Sequence, residues 1–198
     1  MTTQPPSRVL IIQGHPDRES YCTALAESYR KGATAAGAEI RFVQISDLDF
    51  NPNLAYGYRK RTELEPDLLG IQESIRWADH VVFVYPTWWW TMPALLKGMI
   101  DRVFLPGFAF KYKSKDSLIW EKLLKGKSAR LIVTMDTPVW YYQTIGGIPG
   151  HKAMKKGILE FSGFKPVRVT MLGSLKLSTA DKRKSWLNKA ENLGRKLI

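Results

Sequence analysis

Five short apolar runs alternate with stretches of helical period along this chain, and that alternation predicts its architecture. Arg8 to Gln13 (Arg-Val-Leu-Ile-Ile-Gln) is almost continuously apolar, as expected of a strand buried on both faces. Gly14 to Glu19 reads as a loop, and Ser20 as the N-cap of a helix running to about Ala36. Gly37 closes that helix, and Glu39 to Ile45 alternates as a second strand. Residues 46–66 are polar and irregular, a connection long enough to suggest a functional loop. Leu68, Ile71 and Ile75 give Asp67 to Trp77 a helical spacing, and His80 to Tyr85 is the third strand. A helix follows from Pro93 to Phe104, with Pro93 suited to its first turn. Residues 105–127 read as a hairpin or excursion. Ala129 to Thr134 is a fourth strand, His151 to Phe161 a helix, and Pro166 to Leu172 a fifth strand. The last helix spans Thr179 to Leu197 and is capped by Ser178 or Thr179. Strands alternating with helices imply one doubly wound α/β domain over residues 1–198, its parallel sheet covered on both faces.

In such sheets ligands bind beyond the carboxyl ends of the strands, where the strand order reverses. Three loops reach that edge, at 14–20, 86–92 and 135–149, and they are also the most unusual segments of the chain. The second begins at Pro86, which has no N–H with which to continue a central strand, and presents Trp88, Trp89 and Trp90 in succession. Three adjacent indoles cannot all face one interior, so a flat ligand or a partner chain is expected to cover them. The first loop lacks both the dinucleotide fingerprint and a P-loop lysine. It does set the hydroxyl of Ser20 at a helix N-terminus beside His15 and Arg18, a set that suits one phosphate. In the third loop Thr134, Asp136 and Thr137 precede Tyr141 and Tyr142; threonines and backbone amides there suit the edge of a flat heterocycle. Asp136, before Thr-Pro, reads as a turn initiator. Gly146, Gly147 and Gly150 are expected to give this loop mobility and room for a second ligand.

Composition narrows the partners. The chain has 198 residues, 44% of them hydrophobic, and a net charge of +12. Its basic residues are scattered (Arg59 to Arg61, Lys111 to Lys115, Lys122 to Lys127, Lys152 to Lys156, Lys182 to Lys184), without a dense run, and only Tyr56 to Arg61 and Lys111 to Lys115 hint at the aromatic interleaving that nucleic-acid binding needs. No apolar run approaches the length of a membrane span, and Met1 to Ser7 lack a secretory apolar core. One cysteine, Cys22, allows no internal disulfide and fits a cytoplasmic setting. His15, His80 and His151 lie at no metal-ligand spacing, so a metal is not expected.

With these residues in hand, the chain resembles the flavodoxin-like NAD(P)H:quinone oxidoreductase family from Val9 to its final helix. The resemblance rests on Gly14-His15-Pro16 with Ser20-Tyr21, on Tyr85-Pro86-Thr87-Trp88-Trp89-Trp90-Thr91-Met92-Pro93-Ala94-Leu95-Leu96-Lys97-Gly98, and on Asp101-Arg102-Val103-Phe104. Gly107 to Phe110 and Leu159 to Phe164 add to it. It implies a flavodoxin-like fold and a flavin, FMN or FAD, held non-covalently. His15, Ser20, Tyr21 and Cys22 would meet its phosphate and ribityl chain. Pro86, Thr87, Trp88, Trp89 and Trp90 would lie along its ring, and Thr134, Asp136, Thr137 and Tyr142 at the ring's edge. The family often has Thr-Thr-Gly-Gly where this chain has Thr134-Met135-Asp136-Thr137-Pro138, and asparagine where it has Cys22.

The activity implied is hydride transfer from NADH or NADPH to a quinone or similar acceptor, in ping-pong order, with Tyr142 and His151 polarising or protonating the acceptor. A homodimer with the flavin near its interface is implied too. The alternative is a regulatory flavoprotein acting on a partner such as a potassium efflux system. An electron-carrying flavodoxin fits less well, because those proteins are acidic.

Overall fold

The most apolar run of the sequence lies at the centre of a five-stranded sheet. The computed structural model describes residues 7–114 and 117–197; the expectations for Met1 to Pro6 and for Lys115 fall outside the described residues. In chain order the strands are β1 (Arg8–Gln13), β2 (Glu39–Gln44), β3 (His80–Pro86), β4 (Phe110–Tyr112), β5 (Trp120–Lys122), β6 (Ser128–Thr134) and β7 (Val167–Leu172). The large sheet has the order β2-β1-β3-β6-β7 with every pairing parallel. This is the doubly wound, flavodoxin-like arrangement, and its order reverses between β1 and β3. All seven residues of β3 are buried, which is why its composition does not alternate. Each fully buried valine or phenylalanine there contributes on the order of 1.5–3 kcal/mol. β4 and β5 form the expected hairpin off the sheet.

Helices cover both faces. On one lie α1 (Tyr21–Ala35) and α6 (Ala180–Arg195), packed over Val9, Ile11, Val82, Val84 and Ile132. On the other lie α2 (Pro66–Trp77), α3 (Ala94–Val103) and the segment that starts as α5 (Pro149–His151) and widens into π-type turns over Lys152–Glu160. α1 and α6 touch backbone to backbone at two glycines. A Cβ on Gly32 would stand 1.9 Å from the carbonyl oxygen of Glu191, and one on Gly194 would stand 2.2 Å from that of Tyr29.

The sequence boundaries hold to within a residue or two at most elements. Ser20 caps α1, Gly37 follows it with a φ of +79°, and Thr179 caps α6 by accepting the Lys182 N–H. β3 stops at Pro86, the residue without a donor. Two details differ: Pro93 is the N-cap of α3 and not part of its first turn, and the stretch read as loop after β6 contains a helix, α4 (Val139–Thr144). The six residues of α4 are too few to show a helical period. Among the described residues, no helix is long and apolar enough to cross a membrane.

Candidate active site

The carboxyl ends of β1, β3 and β6 bring the three unusual loops to one edge. After β1, Gly14 is fixed by its N–H to the Val84 carbonyl at 2.8 Å. His15 Nδ1 accepts the Asp17 N–H at 2.9 Å, so the neutral ring carries its proton on Nε2. Partial burial lowers the His15 pKa, against the opposing charge of Asp17. Its ring meets Trp88 edge-on at 5.3 Å, which joins the first loop to the second.

At the N-terminus of α1, Ser20 Oγ accepts the Thr23 N–H, and the N–H groups of Tyr21 and Cys22 have no acceptor within the helix. Two residues missed in the sequence complete this corner. Gln13 donates its amide to the hydroxyls of Ser20 and Thr23 at 3.3 and 3.0 Å. A lone polar residue closing an apolar run was the available signal. Arg183 is the other: Tyr21 Oη donates to its carbonyl at 2.6 Å, which ties α1 to the start of α6.

The tryptophan loop is a tight reverse turn. Trp88 and Thr91 exchange both backbone hydrogen bonds at 2.9 Å, and Trp89 and Trp90 both have positive φ, +47° and +65°. A turn with two left-handed central residues ordinarily carries Asn-Gly, and each bulky residue placed there costs on the order of 1–2 kcal/mol. Strain of this kind persists where a site depends on it. Trp89 is 98% exposed, whereas Trp88 and Trp90 are 43% and 37% exposed. Trp90 lies edge-on to Tyr141 and Tyr142 at 6.3 and 6.0 Å.

Tyr142 and His151 are placed differently from what the sequence implied. Tyr142 is fully buried and His151 is 4% exposed, their rings 5.1 Å apart beneath the tryptophan turn. Tyr142 Oη donates to the Trp90 carbonyl at 3.2 Å and accepts the Gly150 N–H at 3.1 Å. The phenol therefore braces the turn from below and is not open to an acceptor. Burial raises its pKa, and burial lowers that of His151 to about 4. The glycines of this loop also serve close approach instead of mobility. A Cβ on Gly150 would stand 2.6 Å from the Trp90 carbonyl, and one on Gly146 would stand 2.8 Å from the Trp90 ring.

The remaining predicted residues divide by depth. Cys22 and Thr134 are buried under the edge, their Sγ and Oγ1 atoms 3.4 Å apart. Burial pushes the Cys22 thiol up to about 12, so it is a protonated packing group and not a nucleophile. Thr87 continues the edge by donating its N–H to the Thr134 carbonyl at 2.7 Å. Asp136 accepts the Lys176 N–H at 2.9 Å, a loop-fixing bond, and the carbonyl of Thr137 accepts the Ser174 N–H at 3.3 Å. Pro86 ends β3 in register with Thr134. Among the described residues no cluster of three or more His, Cys, Asp or Glu is arranged to hold a metal ion.

A parallel sheet that reverses its order at β1/β3, with a helix N-terminus and an aromatic turn at that point, is what decides the family. The chain belongs to the flavodoxin-like fold family, whose model matches residues 7–197. An uncharacterised NAD(P)H oxidoreductase of Haemophilus influenzae is 28% identical, covering 91% of both chains. Human ribosyldihydronicotinamide dehydrogenase [quinone] is 29% identical over 91% of this chain and 87% of its own. Among solved structures, Smu.1420 of Streptococcus mutans is 29% identical with a TM-score of 0.83, covering 96% of this chain and 99% of that one. An NAD(P)H:quinone oxidoreductase from Methanothermobacter marburgensis shares the fold at 24% identity, with a TM-score of 0.85 over 98% and 100% of the two chains. The resemblance drawn from the sequence motifs thus holds.

The buried histidines give a pH test. Burial lowers the pKa of His80 to about 4, as it does that of His151, with the charges of Arg130 and Arg168 adding to the effect at His80. Between about 4 and 6.5 the unfolded chain binds protons that the native rings refuse, so stability is expected to rise with pH across that window and level off above it. Urea unfolding at pH 5 and pH 8 checks this. Equal stability at the two values would mean that neither ring is buried neutral.

Proposed function

We propose that this protein is a flavin-dependent NAD(P)H oxidoreductase that passes hydride to a quinone or a similar flat acceptor. The observation that carries this is the meeting of a phosphate-type helix N-terminus with a strained, exposed tryptophan turn at the reversal point of the sheet. The residues present fit a flavin. Ser20, Thr23 and the N–H groups of Tyr21 and Cys22 at the start of α1 would hold a phosphate, the donor His15 Nε2 lies at the same corner, and Trp88 and Trp89 offer indole surface for the ring. Threonine and backbone donors from Thr87 to Thr137 would face the ring's edge, with Tyr142 and His151 holding the turn in place from beneath. When bound, the flavin supplies reversible two-electron chemistry; the chain orients it and keeps water from one of its faces. The names NAD(P)H oxidoreductase and NAD(P)H:quinone oxidoreductase support the same donor, and the latter, with ribosyldihydronicotinamide dehydrogenase [quinone], the same acceptor class.

A homodimer is part of this reading. Phe110, Tyr112 and Phe161 pack ring to ring along a cleft of about 450 Å³ beside Ile100 and Phe104, with Tyr112 and Tyr58 exposed at its rim. A second copy would cover that face with well over ~1,000 Å² of interface. The cytoplasm is the compartment proposed, in keeping with a single free, buried thiol. No observation favours the regulatory alternative.

The purified full chain is expected to bind FMN or FAD, to be bleached by NADPH or NADH without oxygen, and to be reoxidised by a soluble quinone, as a dimer in sedimentation. Flavin at a hundred times its Kd should add about 2.7 kcal/mol of stability. A melting temperature unmoved by saturating FMN and by saturating FAD would overturn the assignment.

A further inference from the structure

The end of β1 holds an amide that neither the strand nor the core requires. Gln13 is fully buried behind four buried apolar residues. Its Nε2 reaches both hydroxyls of the α1 N-terminus, and its Oε1 meets no partner among the described residues. An unpaired buried amide oxygen is costly, and an apolar side chain at this position would avoid that cost. The amide therefore serves the hydroxyls it touches.

The hydrogen count shows what it does to them. Each Gln13 N–H ends on a hydroxyl oxygen, so Ser20 and Thr23 both accept from below. Ser20 Oγ accepts the Thr23 N–H as well, at 3.4 Å, which occupies its second lone pair. Its own proton must then be donated, either outward or to Thr23 Oγ1 at 3.2 Å. If it goes to Thr23, that oxygen has two donors and its proton is the one turned away. In both cases at least one O–H leaves the pair seeking an acceptor, next to the N–H groups of Tyr21 and Cys22, which have no acceptor within the helix. The reversed amide would do the opposite: Oε1 would take both hydroxyl protons and leave oxygen lone pairs facing the ligand.

We propose that Gln13 is a positioning residue that sets the Ser20 and Thr23 hydroxyls as donors and so makes this corner select a phosphate ester over the same ligand without its phosphate. The proposal rests on the flavin reading above and deepens it. The acceptor-only carboxylate of Gln13→Glu would both reverse the hydroxyls and repel the phosphate, whereas Gln13→Leu would only release them. Riboflavin, which lacks the phosphate, should be indifferent to both changes.

The test is the dissociation constant of FMN and of riboflavin for the full-length protein and the two variants at pH 8, read by flavin fluorescence. Gln13→Leu is expected to cut the FMN-over-riboflavin preference about tenfold, the size of one charged hydrogen bond. Gln13→Glu should cut it about a hundredfold, with riboflavin affinity unchanged in both. Should one variant fail to fold, the other carries the comparison. An unchanged ratio in a variant that still binds FMN would overturn the role of Gln13 and leave the flavin site standing. Wild type binding neither FMN nor riboflavin would overturn the role of Gln13, and failure to bind FAD as well would overturn the flavin reading too.

Discussion

Replacing Arg102 with methionine is expected to cost about 3 kcal/mol of folding stability, the low end for breaking a buried charged pair. Arg102 sits on α3 with its side chain 1% exposed, and it donates to the carbonyls of Asn51 and Glu63 and to both carboxylate oxygens of Glu65. One guanidinium thus fixes three points of the long connection between β2 and α2. Methionine would fill much of the same volume while leaving two carbonyls and a carboxylate without their donor. The low end applies because Glu65 keeps 30% of its side chain exposed. Burial alone would raise the Glu65 pKa, but backbone N–H groups at Glu65 and Asn51, together with Arg102, outweigh it and hold the carboxyl below its usual range. Lysine should rescue little, since one ammonium cannot span the three sites. Urea denaturation with limited proteolysis is the check. A variant as stable as wild type and uncut between Asn51 and Glu65 would mean the connection is held by other contacts.

Trp89→Gly is expected to move stability and ligand affinity in opposite directions. Trp89 is almost wholly exposed at a φ of +47°, so the native state bears a left-handed tryptophan with little packing to compensate. Glycine removes a cost of about 1–2 kcal/mol and introduces an entropic one of about 0.5–1, a net gain of up to about 1.5 kcal/mol in the free protein. The same change removes an indole from the proposed ring site and should weaken FMN or FAD binding about tenfold, the worth of a good aromatic contact. Melting curves without ligand and flavin titrations give the two numbers. Unchanged affinity would mean that Trp89 does not meet the ring, and lowered stability that its strain is offset by packing.

The central strands were legible because their two-sided burial leaves almost nothing but apolar residues in β1, β3 and β6, and a proline ends β3. Caps at Ser20 and Thr179 were legible for an equally local reason, a hydroxyl three residues before the amide it accepts. What was not legible depends on distant partners. Tyr142 reads as a reactive phenol until its acceptor is seen to be the carbonyl of Trp90, 52 residues away. Nothing in Trp-Trp announces a left-handed pair, because that conformation is signalled by glycine or asparagine and tryptophan carries neither cue. Gly146 and Gly150 likewise look like hinges in the sequence, and only the nearness of Trp90 shows them to be spacers. Gln13 was visible as a polar residue ending an apolar run, but its purpose required the positions of two hydroxyls on the next element.

The contact of α1 with α6 at Gly32 and Gly194 bears on the order in which the chain can be made. One face of the sheet is closed by α1 and α6, and Trp186, Leu187, Ala190, Leu193 and Leu197 complete a core whose other members are in place by Leu172. During synthesis β1, α1, β3 and β6 emerge early, yet Val9, Ile11, Val82 and Ile132 stay incompletely covered until α6 clears the ribosome. The close backbone fit then leaves that groove a single acceptable lid, since a helix bearing a side chain where Gly194 stands could not seat against Tyr29. The step that seals this face therefore waits for α6, and a chain lacking α6 would carry an exposed greasy face, marked for chaperones or proteases.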